Sequence, residues 1–306
     1  MDAPAARRDD RADPLFGEGF METLGYLHII ARRVLSGQMK AERRSRRKGV
    51  SVEFADYRPY ASGDDFRFID WNVYVRTDNL FLKLFEEEED LHLYLLLDCS
   101  GSMDFGRPYK FHYARRLAAA IGYLGLAGLD RVHVGPFVDA PPAQAGDMLR
   151  LRGKAKVFRL MRFLEGLAPG GRTDLRHALQ TFAAHRHRRG MAIVLSDLYD
   201  RNGVTGAINA LRFQKHDPYL IHIVSPEETD PALLGDVRLL DGESDRHRDV
   251  TVTEAMLRRY RERYAAYCAE IEGFCRARGV GYVRCRTDVS YRDAVVQMLR
   301  RGRLLQ

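Results

Sequence analysis

The chain has 306 residues, of which 45% are hydrophobic and 30% are charged. This composition is typical of a soluble globular protein and excludes a disordered chain or a small disulfide-stapled domain. The length suits one large domain with an appendage or two smaller domains. The four cysteines contain no C-x-x-C pair, so we expect reduced thiols in a cytoplasmic protein. These cysteines are Cys99, Cys268, Cys275 and Cys285.

The formal net charge of +7 is concentrated in one basic tract, KAERRSRRK at residues 40–48. Such a tract can contact several phosphates, so nucleic-acid binding is one candidate function. The tract contains no aromatic residue for base stacking, and a solvated linker or a docking surface for an acidic partner is the alternative. The sequence shows neither a run of ~18 apolar residues for a transmembrane helix nor the apolar core of a signal peptide.

The N-terminal part of the chain is predicted to hold a tail, a helix and a β-rich segment. Residues 1–13 are charged and rich in Ala and Pro, which predicts a disordered tail. Apolar spacing between residues 14 and 35 predicts an amphipathic helix that leads into the basic tract. Short strand-like segments separated by turn signals follow between residues 50 and 86. We therefore assign residues 14–90 to an N-terminal region of helix, basic tract and β-rich lead-in.

Residues 91–306 alternate apolar segments of strand length with helical segments. Strands buried on both faces that alternate with helices are typical of a parallel sheet covered on both sides. We therefore predict an α/β domain with a mostly parallel central sheet and helices on both faces. Weaker β patterns near 147–151 and 235–252 are interpreted as an edge hairpin and a late insertion. The main predicted strands are 91–97, 131–138, 191–196, 219–224 and 280–285.

The strand at 91–97 ends in three polar residues at alternate positions, Asp98, Ser100 and Ser102. Alternate residues of an extended segment face the same side, so these three side chains can converge beyond the strand end. Ligands bind at the carboxyl ends of strands in open α/β sheets. Convergent oxygen donors at such a place favour a hard cation.

Two more residues with side-chain oxygens are expected at the same end of the sheet, beyond the carboxyl ends of its strands. Thr173 lies in the Gly-rich loop APGGRTD, and Asp197 follows the strand MAIVLS. A purely structural role is the alternative interpretation. Ser100 and Ser102 would then cap the helix that follows them, and Thr173 would cap the helix that begins with DLRHAL.

The pattern D-x-S-x-S, with a Thr and an Asp downstream, resembles the metal-ion-dependent adhesion site of von Willebrand factor type A domains. The wider chain, from about residue 37 to about residue 303, resembles one branch of these proteins, domain-of-unknown-function family 58. Its members are linked to MoxR-type AAA ATPases. The residues that carry this second resemblance are Glu53, Phe54, Arg58, Pro59, Tyr60, Gly63, Asp64, Asp65, Arg67, Ile69, Asp70, Trp71, Arg76, Lys83, Phe85 and Glu88.

The resemblance implies a Rossmann-like von Willebrand factor type A domain that binds Mg²⁺ or Mn²⁺. Its five implied metal ligands are Asp98, Ser100, Ser102, Thr173 and Asp197. The serines would bind directly, and the other three directly or through water. An open coordination position would accept a carboxylate from another protein. The implied function is that of an adaptor working with a MoxR-type AAA ATPase in the assembly or remodelling of a client complex.

Enzyme signatures are absent from the sequence around these residues. Ser100 lacks the G-x-S-x-G context of an α/β hydrolase nucleophile, because Asp98 and Ser102 replace the two glycines. No phosphate-binding G-x-x-x-x-G-K-[ST] loop occurs. We therefore expect no catalytic residue and a non-enzymatic function.

The family-like block before residue 90 is rich in paired acidic and basic residues. We expect Asp64, Asp65, Asp70 and Arg76 to form a buried polar network, since paired Arg and Asp satisfy one another. We expect Trp71, the only tryptophan, to lie in the core. Contact with a partner protein is the alternative role for this block.

Overall fold

The computed structural model describes residues 14–42, 53–86, 91–128, 130–137, 148–172, 174–185, 187–200, 203–240 and 247–300. The chain divides into two compact units. The small unit holds the described residues between Leu35 and Asp90, and the large unit holds those before Leu35 and after Asp90. The domain boundaries expected from the sequence remain a prediction. Of the basic tract, residues 43–48 lie outside the described part of the chain.

The first helix, α1 (Phe20–Glu42), begins in the large unit. Leu24 and Leu27 are fully buried, and the Phe20 ring contacts the Tyr291 ring at 5.7 Å between centroids. Arg116 adds a hydrogen bond to the Leu15 carbonyl oxygen at 2.8 Å. Apolar side chains therefore pack the start of this helix within the large unit, and Arg116 holds the segment just before it.

The small unit pairs β1 (Glu53–Pro59) with β2 (Phe81–Glu86) in antiparallel register, with α2 (Trp71–Thr77) between them in the chain. Asp70 caps α2 by accepting hydrogen bonds from the backbone N–H groups of Asn72 and Val73. It is also paired with Lys83 and holds the hydroxyl of Tyr57 at 2.8 Å. These contacts hold the pKa of Asp70 at about 2, with the Tyr57 hydrogen bond the largest cause.

Two expectations about this block are wrong. Trp71 is 57% exposed and contacts Tyr74 edge to face, so it is not a core residue. The acidic residues form separate local pairs in place of one buried network, and Asp70 alone among them is buried. These pairs are Asp64 with Arg58 (2.6 Å), Asp65 with Arg67 (2.6 Å) and Asp70 with Lys83 (3.1 Å).

The large unit is built on a six-stranded sheet. In chain order, its first five strands are β3 (His92–Asp98), β4 (Arg131–Phe137), β5 (Leu149–Arg152), β6 (Met191–Ser196) and β7 (Asp217–Val224). A separate antiparallel hairpin of β8 (Gly235–Leu240) and β9 (His247–Val252) follows. The sixth strand of the main sheet is β10 (Gly281–Arg286). The order across the sheet is β10-β7-β6-β3-β4-β5, and all pairs are parallel except β4 with β5.

Helices cover both faces of this sheet. Its helices are α3 (Lys110–Ala127), α4 (Val157–Glu165), α5 (Leu175–Ala184), α6 (Val204–Phe213), the short α7 (Pro226–Thr229), α8 (Glu254–Ala277) and α9 (Tyr291–Arg300). On one face α3 packs beside α4 and α9, and its Gly122 and Gly125 come close to Leu95 and Leu93. On the other face Tyr94 and Leu96 join a core with residues of α5, α6 and α8.

The predicted fold class is therefore confirmed, because helices cover both faces of a sheet whose strands are parallel except for β5. The predicted edge hairpin corresponds to the antiparallel pair of β4 and β5, and the late insertion to the hairpin of β8 and β9. Across the described residues, no helix has the length and apolar character needed to cross a lipid bilayer.

Candidate functional site

Asp98 is the last residue of β3 and is completely buried. Because β3 lies between β6 and β4, its end is enclosed by neighbouring strands. One carboxylate oxygen accepts the backbone N–H of Ser100 at 2.9 Å, and the other accepts the hydroxyl of Ser196 at 2.5 Å. The carboxylate is thus held by its own loop and by the end of β6.

Ser100 and Ser102 bring their hydroxyl oxygens to within 3.0 Å of each other. Two adjacent ligands of an octahedral ion with metal–oxygen distances of about 2.1 Å are separated by about 3.0 Å. The two hydroxyls therefore already have the spacing that adjacent Mg²⁺ ligands require. This spacing is one structural observation in favour of a fit between these residues and the implied ion.

The alternative in which these serines cap the next helix is wrong. Ser100 precedes a single 3₁₀ turn, Gly101–Met103, but its side chain accepts no capping hydrogen bond. The following helix, α3, begins only at Lys110, and its N-cap position is Tyr109. The serine hydroxyls are therefore not used to cap a helix.

The Gly-rich loop lies against the loop that follows β3. Gly101 donates its N–H to the Gly171 carbonyl at 3.0 Å, and Gly170 donates to the Cys99 carbonyl at 2.8 Å. Thr173 itself lies outside the described residues. Asp174 caps α5, because its carboxylate accepts the N–H of His177 at 2.6 Å. The capping role expected as the alternative for Thr173 thus belongs to the next residue.

Asp197 follows β6 and is completely buried. Its carboxylate accepts the backbone N–H of Tyr199 at 3.2 Å and pairs with the Lys110 ammonium group at 2.8 Å. The same ammonium group reaches the carboxylate of Glu228 at 2.5 Å. Asp98 and Asp197 are therefore brought to the same edge of the sheet as the two serines, as the sequence predicts, with a buried cation beside them.

Lys110 and Glu228 are site residues that sequence patterns did not reveal. Lys110 is the first residue of α3, and Glu228 is the N3 residue of a capping box whose N-cap is Ser225. An S-x-x-E pattern is readable from sequence as a helix start. No sequence signal indicates that this Glu would meet a Lys that lies more than a hundred positions earlier, because the contact is made only by folding.

The charges at this edge do not balance. When all groups are ionised, the three carboxylates of Asp98, Asp197 and Glu228 and the single ammonium group of Lys110 leave two negative charges in a buried place. Burial and the neighbouring Asp197 carboxylate raise the pKa of Asp98 to about 7. Burial likewise raises the pKa of Glu228. Burial alone would lower the pKa of Lys110, but the carboxylates of Asp197 and Glu228 raise it.

The chemistry of the donor set suits a hard divalent cation. No group of three or more His, Cys, Asp or Glu side chains in the described part of the chain is arranged to hold a metal ion. The candidate site is of a different kind, because it combines the carboxylates of Asp98 and Asp197 with two serine hydroxyls. Mg²⁺ accepts such a set since it prefers oxygen and keeps several of its water ligands. The residues therefore fit the ion that the resemblance implies.

Cys99 takes no part in this arrangement. Its thiol is buried and directed to the Leu97 carbonyl oxygen, at 3.7 Å from Sγ. Burial raises the pKa of the thiol, so the thiolate that would bind metal or react is disfavoured.

Comparison with known proteins finds a distant similarity in structure and a clearer similarity in sequence. The conserved hypothetical protein BatB from Bacteroides thetaiotaomicron is similar with a TM-score of 0.40 and 16% identity, over 69% of this chain and 98% of that chain. The von Willebrand factor type A protein from Catenulispora acidiphila has a TM-score of 0.40 and 14% identity, over 71% of this chain and 43% of that chain.

In sequence, the uncharacterized protein Rv1480 of Mycobacterium tuberculosis is 27% identical over 315 aligned positions, which cover 98% of this chain and 95% of the relative. A family model described as "Protein of unknown function DUF58" matches residues 56–271. That match spans most of the small unit and most of the large unit. The chain belongs to the DUF58 family.

Proposed function

We propose that this protein is a non-enzymatic binding module for other proteins, and that its binding depends on Mg²⁺ or Mn²⁺. Asp98, Ser100, Ser102, Thr173 and Asp197 would hold the ion, directly or through water. The observation that carries the proposal is the pair of serine hydroxyls, 3.0 Å apart, at the same end of the sheet as the buried carboxylates of Asp98 and Asp197. A hard divalent cation suits this set of oxygen donors.

The chain's own residues fix what the ion would meet. The ion, when bound, supplies an electron-poor centre that attracts a carboxylate of a partner protein. Ser196 and the Ser100 N–H hold Asp98 in place, while Lys110 takes up part of the charge of Asp197. Few anionic groups of the chain then face the ion directly, which leaves it attractive to an external carboxylate.

The finer parts of the proposal rest on the resemblance to the family. We place the protein in the cytoplasm, where it would work with a MoxR-type AAA ATPase in the assembly or remodelling of a client protein. A non-enzymatic function is part of this proposal. The hydroxyls of Ser100 and Ser102 are hydrogen-bonded to each other, and that of Ser196 is bonded to Asp98.

The first experiment measures metal binding and partner capture in one set of variants. Titration calorimetry with MgCl₂ and MnCl₂ should show saturable binding to the wild type. Ser102→Ala removes one hydroxyl from a half-exposed position and should weaken binding at least about tenfold, the scale of one lost charge-assisted contact. Asp217→Asn is the matched control, because Asp217 is an exposed residue at the start of β7, the strand end opposite the site.

Partners are then recovered from lysate with each variant in Mg²⁺ or in chelator and identified by mass spectrometry. Recovery of an AAA ATPase or another protein only in Mg²⁺, and only when Ser102 is intact, would support the proposal. Equal recovery in chelator would remove the metal from the mechanism. Chelator-insensitive recovery of nucleic acid that falls steeply with salt would favour the alternative function, nucleic-acid binding by the basic tract at residues 40–48.

A further inference from the structure

We propose that the main sheet carries a second binding pocket, at the opposite ends of its strands from the candidate metal site. This pocket would bind a small molecule that carries a phosphate ester or a polyphosphate. The pocket is a cavity of about 410 Å³ where β3 and β4 begin and β5 ends. Four arginines, three histidines, a tyrosine and a leucine line it, and none of these described lining residues is acidic. The pocket is therefore a concentrated site of positive charge.

The strand register explains how the sequence gathers these cations. Arg131 lies opposite Arg152 in the antiparallel pair of β4 and β5, and His133 lies opposite Arg150. Alternate residues of a strand share a face, so all four side chains emerge on the same face of the sheet. The register therefore gathers three arginines and a histidine along one wall of the pocket, an arrangement that attracts an anionic ligand.

One wall of the pocket is formed by three stacked rings. The rings of Tyr94 and His92 lie almost parallel to that of His133, at 4.7 Å and 5.2 Å between centroids. His92 Nδ1 and His133 Nε2 are hydrogen-bonded at 3.1 Å. The Tyr94 hydroxyl donates to the Arg188 carbonyl oxygen at 2.8 Å, which ties the loop after α5 to this wall. The pocket is therefore held in shape by its own residues before any ligand arrives.

The chemistry of the pocket favours phosphate over other anions. The guanidinium group of arginine presents a planar fork of donors that binds phosphate oxygens in pairs. Several arginines around one cavity suit a group that carries several charges. Burial is the largest cause that lowers the pKa of His133 to about 4, with smaller effects of the neighbouring His92 and Arg150, so His133 itself adds no positive charge at neutral pH.

The dimensions of the pocket favour a small molecule over a nucleic acid. Small-molecule sites have volumes of roughly 300–1,000 Å³, and this cavity lies in that range. Proteins that bind single-stranded nucleic acids stack the bases on exposed aromatic rings. Tyr94 is only 1% exposed and His92 is 9% exposed, so their rings are covered by their neighbours and offer no such surface.

Calorimetry at constant ionic strength and without divalent ions tests the proposal. Sodium pyrophosphate, tripolyphosphate, AMP and ATP are titrated into the full chain, with sodium sulfate as the control anion. At least one phosphate compound should bind saturably with one molecule per chain, and more tightly than sulfate. Tighter binding of AMP or ATP than of pyrophosphate would assign the pocket to nucleotides. Equal binding of pyrophosphate and ATP would assign it to the polyphosphate group alone.

Two arginine variants locate the binding in the pocket. Arg150→Gln and Arg188→Gln should each weaken binding at least about tenfold, the scale of a lost charge-assisted hydrogen bond. Arg159→Gln changes the net charge equally at an exposed position of α4 and should leave the affinity unchanged. Circular dichroism confirms that each variant is folded. The proposal is overturned if no phosphate compound binds at millimolar concentration, if sulfate binds as tightly, if Arg159→Gln weakens binding as much, or if only oligonucleotides bind.

Discussion

Lys110 is a charged residue without any exposed side-chain surface, at the edge of the sheet that carries the candidate metal site. A lone buried ammonium group would be strongly unfavourable, and breaking a buried ion pair by removing one partner typically costs about 3–5 kcal/mol. Lys110 avoids this cost by contacting two carboxylates, those of Asp197 and Glu228. The residue therefore ties β6 and the short α7 to the start of α3 while it reduces the local negative charge.

Replacing Lys110 tests this double role. Lys110→Met keeps the length and apolar stem of the side chain but leaves Asp197 and Glu228 without their cation. We expect the free energy of unfolding in chelator, measured with urea, to fall by about 3–5 kcal/mol. Because this variant lacks the ammonium group that offsets the carboxylates, added Mg²⁺ should restore more stability to it than it adds to the wild type.

Lys156→Met serves as the control for Lys110→Met. Lys156 is exposed just before α4 and distant in the chain from both carboxylates. Its replacement should change the free energy of unfolding by less than about 0.5 kcal/mol, as is usual at the surface. If Lys110→Met were as stable as the wild type in chelator, the ion pairs of Lys110 with Asp197 and Glu228 would contribute nothing to the fold.

At the scale of elements, the sheet depends on a close approach between β6 and β3 at their first residues. A Cβ atom built on Gly190, just before β6, would lie 2.1 Å from the backbone oxygen of His92. Such a contact is with backbone and cannot be relieved by rotating a side chain. Gly190 also accepts the N–H of Asp217 at 3.0 Å, so three strand starts meet at this glycine.

Gly190→Ala should therefore lower the free energy of unfolding by about 1–3 kcal/mol, the usual cost of inserting a methyl group into packed structure. The matched control is Gly273→Ala, inside α8, where an added Cβ meets nothing within 4 Å. That substitution should raise stability by about 0.5–1 kcal/mol, since alanine is the better helix former. Urea unfolding of both variants decides the matter, and equal effects of the two would refute the close approach.

Most elements could be predicted from local patterns, but α2 (Trp71–Thr77), which lies where only strand-like segments were expected, and several contacts could not. The apolar run before Asp98 predicts a buried strand, and the structure agrees, since helices pack on both faces of β3. The pairing of Lys110 with Glu228 escapes prediction, since it joins segments distant in the chain. The prediction for Trp71 was wrong because an aromatic residue in a short helix gives no sign of which face will be covered. The basic pocket could not be predicted, since its arginines are scattered along two strands and a loop.

At the scale of the whole molecule, the sheet separates its two candidate sites. Parallel strands place all their carboxyl ends at one edge and their amino ends at the other. Asp98 ends β3 at the metal edge, and His92 begins it at the basic pocket. A strand rises about 3.3 Å per residue, so these two ends are roughly 20 Å apart. The two sites also differ in their charged side chains, with buried carboxylates at the first and arginines at the second.

This separation predicts that the two sites act independently. Substitutions more than about 7–10 Å apart without shared partners usually have additive effects. Ser102→Ala should therefore leave the affinity for pyrophosphate within about twofold of the wild type, and Arg150→Gln should leave the affinity for Mg²⁺ equally unchanged. Comparing variants avoids mixing the two ligands, which bind each other in solution. A larger cross-effect, in calorimetry on folded variants, would mean that β3 and its neighbours transmit a change of state between the edges, and the sheet would then be a coupling element.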